Sequence, residues 1–178
     1  MMNIPNTLTL LRIILIPVFV YLLLERRFVE ALIVFALGSI TDGLDGFLAR
    51  KFNQITRLGK FLDPMADKLF LLSSYTTAYF VNILPLWLLI IVFLKEIIML
   101  SGLLALYLSV KKVKIKPTLS GKLTTAFQMI TIVLILISGI GLGNEWILFF
   151  VFVATSVLIL TSTTAYIIIG IKAYREAH

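Results

Sequence analysis

Four aspartates, Asp42, Asp45, Asp63 and Asp67, are every aspartate in the chain, and they fall within 26 residues of one another. Asp42 and Asp45 are three apart and Asp63 and Asp67 four apart, so on two helices each pair projects from a single face. Carboxylates gathered this way can ligate hard divalent cations through oxygen, and a carboxylate can also take a proton from a hydroxyl. Two such cations about 3.5–4 Å apart stabilise the attacking and leaving oxygens of a phosphoryl displacement, which makes Mg²⁺ or Mn²⁺ the expected cofactor. Gly43 and Gly46 would let a substrate or a neighbouring backbone come close, and Arg50, on roughly the same face as Asp42, is able to clamp a phosphate. Each aspartate alone has a plainer use: Asp63 before Pro64 can cap a helix, and Asp42 or Asp45 can pair with Arg50 or Lys68. Four at this spacing, interleaved with glycines and an arginine, favour the metal-dependent reading.

Other chemistries are closed off by composition. The chain has no cysteine, and its single histidine is the last residue, His178. Thiolate metal sites, cysteine nucleophiles and Ser-His-Asp relays are therefore excluded, leaving carboxylates as metal ligands and general bases. The net charge of +7 would point to nucleic acid in a soluble protein. Here the basic residues sit mostly in short connections between apolar runs, where they read as topology and anionic-phosphate signals.

The elements that position these residues are membrane spans. The chain is 178 residues long, 60% hydrophobic and only 14% charged, against about 25% charged for soluble domains. Apolar runs at roughly 8–24, 29–49, 61–83, 85–110, 118–140 and 145–171 predict an all-α integral membrane protein of six transmembrane helices forming one domain over 1–178. The first run holds Arg12 and Pro17 and has no small-residue cleavage site, so it is expected to be a retained span rather than a removed leader. Placing both termini in the cytoplasm puts eleven basic residues on that side (Arg50, Lys51, Arg57, Lys60, Lys111, Lys112, Lys114, Lys116, Lys122, Lys172 and Arg175) and only Arg26 and Arg27 on the other, as the positive-inside rule favours. Both aspartate pairs then flank the basic loop 50–60. Two antiparallel helices joined by that loop would bring the four carboxylates together near the cytoplasmic surface.

The same residues match the signature D-x-x-D-G-x-x-A-R-x8-G-x-x-x-D-x-x-x-D at all eight fixed positions: Asp42, Asp45, Gly46, Ala49, Arg50, Gly59, Asp63 and Asp67. The chain thereby resembles the CDP-alcohol phosphotransferases, and its opening Asn3-Ile4-Pro5-Asn6-Thr7-Leu8-Thr9-Leu10-Leu11-Arg12 resembles the start of bacterial members. The resemblance implies a six-helix membrane bundle, usually a homodimer, in a bacterial inner membrane. It also implies transfer of a phosphatidyl group from CDP-diacylglycerol to an alcohol with release of CMP. Carried over by position, Asp42, Asp45, Asp63 and Asp67 would hold two divalent ions, Asp67 would also be the general base, and Gly46, Arg50 and Thr56 would contact the cytidine nucleotide, helped by Pro5 and Asn6.

Later residues bear on the acceptor. Lys95-Glu96-Ile97 with Ser101, and Gly121-Lys122 with Thr125 and Gln128-Met129, resemble the members that use glycerol 3-phosphate, so Lys95 and Lys122 are the candidate acceptor-phosphate residues; snorkelling of both lysines to the interface is the plainer alternative. Lys95 and Thr124 stand where those members carry Arg and Lys, and the Arg expected shortly after Ser101 is missing. Pro117-Thr118 also resembles the members whose acceptor is phosphatidylglycerol, which leaves a lipid acceptor as the second reading. From a different class, a small cation transporter would use intramembrane carboxylates as an ion path, but it would spread them along several helices near the midplane.

Overall fold

The computed structural model describes the backbone over residues 4–51, 59–109 and 119–175, and side-chain surroundings over 9–41, 65–102 and 120–172. Among the described residues the secondary structure is entirely helical. Six α-helices follow one another: α1 (Ile4–Leu24), α2 (Phe28–Lys51), α3 (Gly59–Phe80), α4 (Leu86–Ser109), α5 (Leu119–Ile137) and α6 (Glu145–Arg175), with a single π-helical turn at Ser138–Leu142 between the last two. Each overlaps one of the expected apolar runs, α3 and α5 ending three residues short of theirs. The stretches Ser120–Leu142 and Glu145–Lys172 are long and apolar enough to cross a membrane, and Thr9–Leu24 and Phe28–Thr41 are shorter apolar helices of the same kind.

The chain divides into two compact units. One comprises residues 1–84 and 132–144, the other 85–131 and 145–178. In the first, α1 packs on both α2 and α3. It holds a cluster of three rings, Phe19, Phe35 and Phe70, with centroids 5.3–5.7 Å apart, and Leu23, Ala31, Ala66, Tyr75 and Ala78 of the same unit are also buried. Gly38 makes room for it. A Cβ at that position would lie 2.7 Å from the Phe70 ring, closer than packed carbons tolerate.

Helices α1 and α3 end alike. Arg27 N–H bonds the Leu22 carbonyl at 2.9 Å and Arg26 N–H the Leu23 carbonyl at 3.0 Å; Ile83 N–H bonds Ala78 at 3.0 Å and Asn82 N–H bonds Tyr79 at 2.9 Å. Both are Schellman closures, which need a left-handed residue after the helix. Arg26 (φ 57°) and Asn82 (φ 62°) supply it, although only Asn is at home there. Arg26 Nη2 then donates to the Val81 carbonyl at 3.4 Å, tying the two ends together.

In the second unit α4 packs on α6, and the residues of α5 that belong to it meet α6 through polar contacts. Thr131 and Thr155 hydroxyls lie 2.8 Å apart, and the Thr124 hydroxyl donates to the Leu158 carbonyl at 3.0 Å. Small hydroxyl residues allow such close approach, and their oxygens find partners across helices. The outward side of α6 carries Phe149, Phe150, Val153, Val157, Leu160 and Ile168, all exposed, while Thr131, Thr155 and Gln128 are fully buried. Large apolar side chains facing outward, with hydroxyl and amide groups buried beside Leu88, Val92 and Ile159, match hydrocarbon as the solvent.

Candidate active site

Asp67 is the aspartate whose side chain the structure describes. It projects from α3, two turns in from Gly59, and its Oδ1 accepts a hydrogen bond from Nη1 of Arg12 on α1. The two partners differ in exposure: Arg12 is 1% exposed and Asp67 35%. The Arg12 end of the ion pair is thus buried inside the first unit and the Asp67 end is partly exposed.

This contact also fixes how the helices run. Arg12 meets Asp67 and Arg26 meets Val81, each pair separated by 55 residues, so α1 and α3 are parallel and in step. The turn at Glu25–Arg27 sends α2 back antiparallel, with Phe35 beside Phe19. Seven residues before Phe19 and seven after Phe35 are Arg12 and Asp42, so helical register puts the backbone of position 42 level with Arg12 and therefore with Asp67. Asp63 lies one turn nearer the start of α3, and Asp45 almost one turn further along α2.

The side chains of Asp42, Asp45, Asp63 and Arg50 lie outside the described residues, as do those of Pro5 and Asn6, which sit in the first turn of α1; Gly46 is described by its helical backbone, and Thr56 lies wholly outside. Among the described residues no group of three or more potential metal ligands gathers. The donor set that shares α2 and α3 is nonetheless all carboxylate, which fits a hard divalent ion and disfavours a soft one.

The acceptor-side lysines fare differently. Lys95, in α4, is 4% exposed, so it does not snorkel; its ammonium donates to Gln128 Oε1 at 2.8 Å and pairs with Glu96 Oε1 at 3.1 Å. Gln128 and Glu96 are themselves 0% and 5% exposed. Lys122, in α5, is exposed and free to reach outward. In the sequence Arg12 stands out as a charge within a retained span and as the end of the Asn3–Arg12 motif, with no partner named for it. A guanidinium within an apolar run costs several kcal/mol, about 2.5–3.5 by insertion measures, and that cost was the signal that it must have a carboxylate partner.

Comparison with known proteins decides the family. The model of the CDP-alcohol phosphatidyltransferases matches residues 2–168. The chain belongs to this family. It is 36% identical over 167 residues to the CDP-diacylglycerol–glycerol-3-phosphate 3-phosphatidyltransferase of Aquifex aeolicus (strain VF5), covering 90% of this chain and 88% of that one. The enzyme of the same description from Bacillus subtilis (strain 168) is 32% identical, over 74% of this chain and 75% of its own. A probable cardiolipin synthase (CMP-forming) of Drosophila melanogaster is 35% identical over 80% of this chain but 47% of its own length. Against the cardiolipin synthases it matches, this CDP-alcohol phosphatidyltransferase spans about half.

Proposed function

We propose that the protein is a phosphatidylglycerophosphate synthase, moving the phosphatidyl group of CDP-diacylglycerol onto glycerol 3-phosphate and releasing CMP. The observation that carries this reading is the Asp67 carboxylate, held by Arg12 at the level to which register brings Asp42. It is supported by similarity to relatives described as glycerol-3-phosphate 3-phosphatidyltransferases over most of both chains.

The reaction is a direct displacement. The acceptor hydroxyl attacks the phosphatidyl phosphorus, its proton passes to Asp67, the bond from that phosphorus to the bridging oxygen breaks, and CMP leaves with the electron pair. A weak oxygen nucleophile needs such a base within hydrogen-bond reach, and the partly exposed Asp67 carboxylate is the group assigned to that role. Asp42, Asp45, Asp63 and Asp67 would hold two divalent ions, Mg²⁺ or Mn²⁺, whose charge would stabilise the departing nucleotide. Gly46, Arg50 and Thr56, with Pro5 and Asn6, bind the cytidine nucleotide. Lys95 and Lys122 bind the acceptor phosphate. No covalent enzyme intermediate is formed.

The setting belongs to the same proposal: six transmembrane helices in a bacterial inner membrane, both termini and the active site facing the cytoplasm, the chain paired as a homodimer among membrane lipids, and no nucleic-acid partner. A second reading, phosphatidylglycerol as acceptor to give cardiolipin, is favoured by the Lys95–Glu96 ion pair, which leaves less charge for a dianionic phosphate. Detergent-purified protein supplied with CDP-diacylglycerol, Mg²⁺ or Mn²⁺ and each acceptor separately distinguishes them by product mass. Phosphatidylglycerophosphate is expected; cardiolipin formed from phosphatidylglycerol alone would replace the first reading by the second.

A further inference from the structure

We propose that Glu96 is a specificity-determining residue for the acceptor: its carboxylate, held against the Lys95 ammonium inside the second unit, sets how much positive charge is left for the acceptor's phosphate. The inference rests on the reading above that Lys95 serves that phosphate. Glu96 acts through Lys95 and needs no contact with the substrate.

Three observations carry it. First, the pair is buried at both ends, Lys95 at 4% and Glu96 at 5% exposure, so water screens neither charge and each acts over a longer range than at a surface. Second, the 3.1 Å contact joins neighbours on α4 and so ties no two helices together; a link from α4 to α5 is made instead by Lys95 Nζ donating to Gln128 Oε1 at 2.8 Å. Replacing a buried ion pair by apolar groups is often neutral or stabilising, which makes stability a poor reason for a carboxylate here. In the membrane setting proposed above, ionisable residues within a span mark function more often than fold. Third, an ammonium has three N–H donors, and among the described residues Glu96 and Gln128 are the two acceptors that meet it. Glu96 and Gln128 make further interactions of their own, and one Glu96 oxygen stays on the ammonium whatever the other holds.

A dianionic phosphate brought near this pair meets a cation already matched by an anion. Taking the negative charge from residue 96 leaves a buried cation that lacks this counter-charge, and a dianion bound nearby then supplies it. Loss of the Glu96 charge should therefore lower stability yet tighten binding of a phosphate acceptor. Loss of a merely structural contact would not give these opposite signs.

The test uses the full chain in detergent, with Glu96→Gln, Glu96→Asp and the double variant Glu96→Gln/Lys95→Met. Affinity for glycerol 3-phosphate is read, without lipid substrate, from the rise in unfolding temperature with its concentration. Glu96→Gln is expected to bind about 10-fold more tightly than the unaltered protein, toward the lower end of coupling between linked sites, and the double variant to lose that gain. Glycerol, which carries no phosphate, should shift none of them. In CMP release the KM for glycerol 3-phosphate should fall about 10-fold, with kcat within about threefold. Should Glu96→Gln not fold, Glu96→Asp carries the test: its carboxylate, one methylene shorter, draws back from the ammonium, and about a threefold gain is expected, half the larger effect in free energy. Unchanged or weaker affinity in folded Glu96→Gln, or a gain that persists in the double variant, would overturn the proposal. If the double variant binds more weakly than the unaltered protein while Glu96→Gln binds no more tightly, Lys95 keeps its role and only the Glu96 inference falls; if neither differs from the unaltered protein, both fall. Absence of CMP release alone would instead sink the synthase reading, with the affinities still deciding the role of Glu96.

Discussion

At the scale of single residues, the two ionic clusters are unequal bargains with burial, and their asymmetry is measurable. Asp67→Asn removes a charged partner of a fully buried guanidinium, whereas Arg12→Gln leaves behind a carboxylate that is one-third exposed and can be solvated. Taking a counter-charge from a buried ion costs more than taking one from an exposed ion, so metal-free Asp67→Asn should unfold at a lower temperature than Arg12→Gln, and it should lose CMP release by about 10²–10⁴-fold as a missing general base does. The Lys95–Glu96–Gln128 cluster makes a parallel case. Glu96→Gln leaves the Lys95 ammonium buried without its counter-charge, while Glu96→Gln combined with Lys95→Met removes both charges. The double variant is expected to be more stable than the single one in thermal unfolding. The four aspartates were legible in the sequence because their spacing is local, i,i+3 and i,i+4. The Arg12–Asp67 pair was not, because 55 residues separate its members and only the parallel run of α1 and α3 brings them together.

At the scale of helices, the apolar runs foretold the six α-helices closely; the expected 85–110 became Leu86–Ser109 and 145–171 became Glu145–Arg175. The ends were less readable. Neither Arg26 nor Asn82 announces a left-handed closure as a glycine would, and the π-helical turn at Ser138–Leu142 falls at the end of the expected 118–140 run, which nothing in its apolar pattern marks. Packing between helices was hidden too, since nothing local marks Gly38 as the seat of the Phe70 ring. A methyl there would sit 2.7 Å from that ring, so Gly38→Ala should destabilise the first unit by about 1–3 kcal/mol, the usual range for overpacking. Adding Phe70→Leu should return part of that loss, and thermal unfolding of the three variants checks it. If Gly38→Ala alone leaves stability unchanged, the ring contact is looser than described.

For the whole molecule, the outward apolar and inward polar arrangement seen within the second unit, together with the positive-inside count, predicts where each connection lies. The chain has no cysteine, so single introduced cysteines report cleanly. Leu142→Cys, at an exposed position in the turn before α6, should react with a membrane-impermeant maleimide added outside intact cells, and Lys112→Cys, in the basic connection after α4, should react only once the membrane is opened. The reverse pattern would invert the topology. A cation transporter, the rival from another class, would tolerate either pattern but would release no nucleotide.

The central claim is therefore tested most directly by one assay: metal-dependent CMP release from CDP-diacylglycerol by the purified protein, with glycerol 3-phosphate as acceptor and the lipid product identified by mass spectrometry. Phosphatidylglycerophosphate and stoichiometric CMP are expected, both abolished by chelator and lowered about 10²–10⁴-fold by Asp67→Asn. No metal-dependent CMP release with any alcohol acceptor would contradict it.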